Sequence, residues 1–438
     1  MNGPRQGHRV AEENRDRGDT RGNRPTSCLS ATSRPIRVAV LTDFNVSNVH
    51  YMLAAELRGI PTLRARYLDC GARTQRENDP RWFMTGSTGG HDTPVGMRAY
   101  LSMAGRLLFA IPVVLASDIV LTSGWIAVVP RFVHKNYIYW SYGSDLDQYA
   151  FRGSSALATK SSGSGAKGLA TEAKRTVLRR LYRWAIEAAT VTCIVSYQWP
   201  KLRQVGYRKV GSMPHILEPE FLSFDIDNKA HYVNELRREF DADWLGFTST
   251  RHVWSQDLKG EVDYKGNDVV LKAFARFLEQ CRSERHKKKL VLVERGRDCE
   301  KSKALIEQLG ISPHVVWLRE MPRRDLLNFY AGADVCFDQF SVGCLAASSI
   351  EAMACGTPVI SYLGESAQRA WFPAYRCAPP VLNLLNPDDI ADSMAELYAH
   401  PSRARELQRA SYEWVQRECS VERRRLSLLK LIESALRT

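Results

Sequence analysis

The sequence predicts a doubly wound α/β fold in two similar-sized units, on three observations. Short β-branched runs alternate with apolar-periodic segments of helix length; the runs end in Gly, Ser or Asp; and the alternation starts twice, near Ile36 and again near Trp244. Strands separated by helices of that length pair in parallel, with helices on both faces and a ligand crevice at the strands' carboxyl ends. At 438 residues the chain is long for one core, which points to two or three domains.

Residues 1–35 mix Gly, Arg, Asn, Asp and Ser with almost no bulky apolar side chain, and are expected to form a disordered basic tail. "IRVAVLTDF", from Ile36 to Phe44, reads as a strand, followed by a loop and a helix over "HYMLAAELRGI". "DIVLTSGW", "NYIYWSYGSDL" and "TVTCIVSYQW" read as further strands. The Gly/Ser/Ala stretch between Arg152 and Leu169 reads as a flexible loop. It leads into "AKRTVLRRLYRWAIEAA", where Lys174, Arg175, Arg179, Arg180 and Arg183 flank Val177, Leu178, Leu181 and Trp184 at helical spacing. That pattern fits either a solvated basic helix face or peripheral contact with an anionic membrane.

The second unit opens with "WLGFTST" as a strand. It continues through "NDVVLKAFARFLEQCRS" (helix), "KKLVLVERG" (strand), "CEKSKALIEQLGI" (helix), "HVVWLREM" (strand), "RRDLLNFYAGA" (helix) and "DVCFDQF" (strand). The expected limits are residues 36–240 for an acceptor-binding domain and 241–415 for a nucleotide-sugar-binding domain. Residues 416–438 are expected to be a C-terminal helix packing back on the first domain.

The formal charge of +13 and pI near 9.3 call for an anionic partner: nucleic acid, a membrane surface or phosphorylated ligands. No zinc-type Cys/His spacing or aromatic recognition strand is present, so no nucleic acid partner is expected. The 10 cysteines are scattered without a C-x-x-C pair, as suits a reducing compartment. The polar, arginine-rich start does not read as a signal peptide, and Pro112 and Asp118 interrupt the apolar run Leu107–Trp125. The expected location is cytoplasmic, with the inner face of the plasma membrane as the site of any peripheral contact.

"SSIEAMACGTPVISY", Ser348 to Tyr362, places one carboxylate, Glu351, among small apolar residues. Ser348 and Glu351 have capping-box spacing, with Gly356 ending the helix. The alternative is a helix N-terminus that receives a phosphate.

The order strand, helix, "VERGRD", helix, "VVWLREMPRRDLLNFYAGADVCFDQF", "SIEAMACGTPVIS" resembles the second domain of GT-B glycosyltransferases of family 4, over about residues 244 to 400. The first half matches more loosely, through its opening strand, loop and helix and through "YGSDL". The resemblance implies a retaining, metal-independent glycosyltransferase with no cofactor beyond its nucleotide-sugar donor, acting on a saccharide or lipid-linked acceptor. It implies that Glu351, the second glutamate of the family's E-x7-E motif, binds the ribose hydroxyls. Arg251 and Lys265 would contact the donor diphosphate, Gly296 would let the backbone approach the nucleotide, and the loop Cys344, Leu345, Ala346, Ala347 would meet phosphate.

Two departures stand out. The first glutamate of the motif is replaced by Gly343, and Tyr142, followed by Asp145, stands where the family has a histidine that contacts the sugar. Asp338 and Gln339 are the expected substitutes for the missing polar contact. Rival readings are a catalytically silent GT-B module and a sugar-nucleotide epimerase of the same fold.

Overall fold

The computed structural model describes residues 34–42, 49–69, 103–141, 166–193, 207, 209–255, 264–283, 285–341, 343–365 and 374–437. The basic tail, Tyr142, Asp145 and most of the Gly/Ser/Ala stretch lie outside them; residues 166–169 of that stretch are helical instead of loop.

Two six-stranded parallel sheets organise the molecule. The first contains β1 (Ile36–Thr42), β2 (Leu63–Asp69), β3 (Ile119–Thr122), β4 (Tyr137–Trp140), β5 (Val191–Cys193) and β6 (Val210–Gly211), in the order β2-β1-β3-β4-β5-β6. The second contains β7 (Trp244–Thr248), β8 (Lys288–Val293), β9 (Val315–Leu318), β10 (Val335–Phe337), β11 (Val359–Ser361) and β12 (Leu382–Asn383), in the order β12-β11-β10-β7-β8-β9. Parallel pairing demands a crossover between strands, and these are mostly helical, as in helices Asn267–Gln280 and Cys299–Gln308.

Strand alternation divides the first sheet's core. Val38, Val40, Ile119, Leu121 and Ile138 point to one face, and Ala39, Leu41, Val120, Tyr137 and Tyr139 to the other. The first face is covered by helix Val49–Arg58 and by the C-terminal helix Val421–Leu436, through Leu428, Ile432 and Ala435. The second face carries helices Met103–Leu115, Val128–Phe132 and Ala166–Ala188. Helix Met103–Leu115 and β3 divide the apolar run Leu107–Trp125 between them, and no helix among the described residues is long and apolar enough to cross a membrane.

The chain changes cores earlier than the expected boundary near residue 240. Met213 and Ile216 pack in the first core, while Leu217, Phe221, Phe224 and Leu236 pack in the second. Apolar side chains of helix Lys229–Glu239 and of the segment before it therefore anchor this stretch to the second sheet. The return crossing is tied by Arg424, 1% exposed, which pairs with Glu56 and donates to the carbonyl of Cys419 at 2.5 Å.

Candidate functional site

The site lies where β7, β8 and β10 end. After β7 the chain runs through Ser249 to Ser255 and is fixed from three sides. His252 N–H donates to the Arg295 carbonyl at 2.7 Å, and Asp298 N–H donates to the His252 carbonyl at 2.9 Å. Asp298 accepts the amides of Trp254 and Ser255 at 2.8 and 3.0 Å. Burial would raise its carboxyl, but the Ser255 hydroxyl and these amides hold it down at about 2. Lys265 N–H donates to the Val253 carbonyl at 2.6 Å, bringing Lys265 beside the segment that carries Arg251.

Gly296 lies in this contact with φ of +113°, and a Cβ there would stand 2.5 Å from the His252 carbonyl oxygen. Only glycine permits both the backbone angle and the approach. Gly266, with φ of +72°, makes the turn from Lys265 into helix Asn267–Gln280, packed against Phe340.

Asp338, just past β10, joins this segment to helix Ala347–Ala354. Its carboxylate accepts the hydroxyls of Thr250 at 3.2 Å, Ser348 at 2.9 Å and Ser349 at 2.5 Å. Three donors on one buried carboxylate explain why a charge is tolerated at 5% exposure. Gln339, 2% exposed, donates its amide to the Cys344 carbonyl at 2.8 Å. Both side chains are thus engaged within the protein.

The capping-box expectation is overturned. The residue before helix Ala347–Ala354 is Ala346, with no side-chain cap, and Ser348 faces Asp338 instead. The helix does end near Gly356, whose φ is +64°. Glu351 is 2% exposed and paired with Arg323, itself 8% exposed. Burial pushes the Glu351 carboxyl up, opposed by the guanidinium and by a hydrogen bond to Tyr330. Tyr330 in turn shares a hydrogen bond with Ser249 at 2.6 Å, so Glu351 connects back to the end of β7.

Glu218 faces the same arginine. It is 2% exposed, and neither carboxylate oxygen has a hydrogen-bond partner among the described residues. Burial pushes its carboxyl up to about 7, the Arg323 charge pulling it down and Glu351 pushing it further up. Sequence reasoning missed Arg323 and Glu218. A signal for Glu218 existed in "HILEPEF", where an acid sits directly between the apolar Leu217 and Pro219.

Gly343 has φ of +72°, and a Cβ would lie 2.6 Å from the Gly364 amide nitrogen, which also donates to the Gly343 carbonyl at 3.0 Å. A glutamate therefore has no room at this position. Cys344, Leu345, Ala346 and Ala347 form the turn from Gly343 into the Glu351 helix.

The paired parallel sheets with flanking helices are the GT-B fold. Residues 261–414 match the family model described as glycosyl transferases group 1. A stretch of 102 residues is 31% identical to D-inositol 3-phosphate glycosyltransferase of Acidothermus cellulolyticus, spanning 22% of this chain and only 23% of that protein's length. Among solved structures, the chain is similar to a glycosyltransferase from Rickettsia africae at a TM-score of 0.60 and 12% identity, covering 93% of this chain and 100% of that one. It is similar to HepE of Anabaena in complex with UDP and glucose at 0.60 and 12%, covering 91% and 100%. Sucrose-phosphate synthase of Thermosynechococcus elongatus gives 0.58 and 17%, covering 91% and 98%.

Proposed function

We propose that this chain transfers a sugar from a nucleoside-diphosphate sugar to an acceptor hydroxyl, with retention and without a metal. The observation that carries this reading is the coincidence of the group 1 glycosyltransferase match over residues 261–414 with the convergence of Lys265, Gly296, Glu351 and the turn Cys344 to Ala347. HepE of Anabaena has been seen with UDP and with UDP-glucose, which supports a nucleotide-sugar donor.

In this reading the cluster of Glu218, Glu351 and one arginine is short of hydrogen-bond donors, and the two ribose hydroxyls supply them at Glu351. Arg251 and Lys265, both half-buried, meet the diphosphate together with the turn before the Glu351 helix. The acceptor oxygen bonds to the sugar's anomeric carbon as the bond from that carbon to the diphosphate oxygen breaks. The bonding pair stays on the diphosphate, and the acceptor's proton passes to that same oxygen. Fixed cations stabilise charge where it develops, so no side chain is needed as base. The acceptor is a saccharide or a lipid-linked glycan precursor at the cytoplasmic face.

The inward engagement of Asp338 and Gln339 and the absence of room at Gly343 favour one alternative, a GT-B module that binds nucleotide without transfer. Nucleoside diphosphate release from a panel of nucleotide sugars, with sugars and inositol phosphate as acceptors, separates the two. Transfer predicts release that Lys265→Ala lowers about 10²–10³-fold. Binding of a nucleotide with no release from any donor would leave the silent module standing.

A further inference from the structure

Of the nine large hydrophobic side chains most exposed among the described residues, seven belong to the three helices on one face of the first sheet. Helix Met103–Leu115 exposes Leu108 at 67% and Leu115 at 52%, seven positions apart and therefore on one side. Helix Ala166–Ala188 exposes Val177, Leu181 and Trp184 at 56%, 41% and 40%, again at the spacing of one stripe. Helix Val128–Phe132 packs against both and ends in Phe132, 73% exposed. The opposite sides of these helices supply Ala110, Val114, Val129, Tyr182, Ala185 and Ile186 to the core, so the exposed stripes look away from the sheet.

Cations border the apolar stripe of helix Ala166–Ala188. Arg180 and Arg183 are exposed on one flank, and the Arg131 guanidinium lies 5.0 Å from the Trp184 ring. Glu187, one of the two acids of this helix, is paired with Arg183 at 2.7 Å. An apolar stripe with Trp and Leu beside arginines is the composition of a surface lying at the boundary between headgroups and acyl chains. A second copy of the chain is a poorer occupant, because two-fold apposition sets this arginine rim against itself in a molecule of formal charge +13.

We infer that the outer face of this three-helix layer docks the protein on an anionic lipid bilayer. Docking through apolar side chains and through arginines makes two separable demands on the lipid. Insertion needs the stripe, and attraction needs negative headgroups at moderate ionic strength.

Flotation of the full chain with vesicles of phosphatidylcholine, or of phosphatidylcholine with phosphatidylglycerol, at low and high salt tests this. Binding is expected only with the anionic vesicles and is expected to weaken in high salt. Phe132→Ser with Leu181→Ser, and separately Arg180→Glu with Arg183→Glu, should each lower the partition coefficient at least about tenfold. Glu351→Gln should bind vesicles as the wild type does, which separates this surface from the donor site. Binding indifferent to lipid charge, absent altogether, or unchanged in both double variants would overturn the inference. So would a solution dimer that Phe132→Ser with Leu181→Ser converts to monomer, since the face would then be covered by another copy.

Discussion

Two of the buried arginine–glutamate clusters that hold this molecule have opposite charge balance. Where the C-terminal helix meets helix Val49–Arg58, one carboxylate, Glu56, serves two arginines, Arg424 and Arg425. At the carboxyl end of the second sheet, one arginine, Arg323, serves two carboxylates, Glu351 and Glu218. The first cluster gives its surplus donor to a carbonyl, that of Cys419, and is closed in charge: Glu56 Oε2 makes no hydrogen bond among the described residues but lies 3.4 Å from the Arg425 guanidinium. The second has surplus acceptors and nothing among the described residues to give the oxygens of Glu218. A buried acceptor without a donor is costly, so such a cluster is retained where a ligand brings the donors or where a proton neutralises the charge.

Breaking the closed cluster should have the largest effect. Arg424→Ala leaves Glu56 without its buried partner and should cost about 3–5 kcal/mol of stability, read by chemical denaturation. Next comes Gly343→Glu, which restores the missing glutamate in sequence alone. Its Cβ meets the Gly364 backbone, so the expected result is a loss of about 2–4 kcal/mol and no gain in activity.

The open cluster should respond to pH through Glu218. The folded-state pKa of Glu218 is raised to about 7, so its stabilising contribution is present while the group is protonated and is lost as pH rises through 7. Glu218→Gln should match the wild type near pH 4 and exceed it at pH 8, by on the order of 1 kcal/mol. Denaturation midpoints across that range check this; a variant less stable at pH 8 would mean that Arg323 needs the Glu218 charge.

The contrast also marks how far the sequence could be read. Strand–helix alternation exposed β7, β8, β9 and β10, because buried parallel strands form apolar runs that local composition reveals. β2 passed unread although "LRARYLD" alternates buried Leu63, Ala65 and Tyr67 with exposed Arg64 and Arg66, as an edge strand does. Glu351 stood out by its isolation, but its partner was not legible. Arg323 lies 28 positions earlier in "MPRRDLL", where it reads as an ordinary charge at a helix start. Capping-box spacing misled for a related reason. The helix starts at Ala347, earlier than the spacing implies, so Ser348 lies inside its first turn rather than at the cap, and its hydroxyl donates to Asp338, which the fold delivers from the adjacent strand. Gly343 looked like a lost functional residue until Gly364, well beyond it in sequence, proved to occupy the space.

Whether the donor-poor cluster receives a nucleotide is open to direct measurement. Thermal unfolding of the wild type and Glu351→Gln against UDP, GDP, ADP and CMP, without metal, measures it. One nucleoside diphosphate should stabilise the wild type by about 2.7 kcal/mol at a hundredfold excess over its dissociation constant, and Glu351→Gln should lose most of that gain. A full shift retained in Glu351→Gln, or no shift with any nucleotide at millimolar concentration, would contradict the placement of the ribose at Glu351.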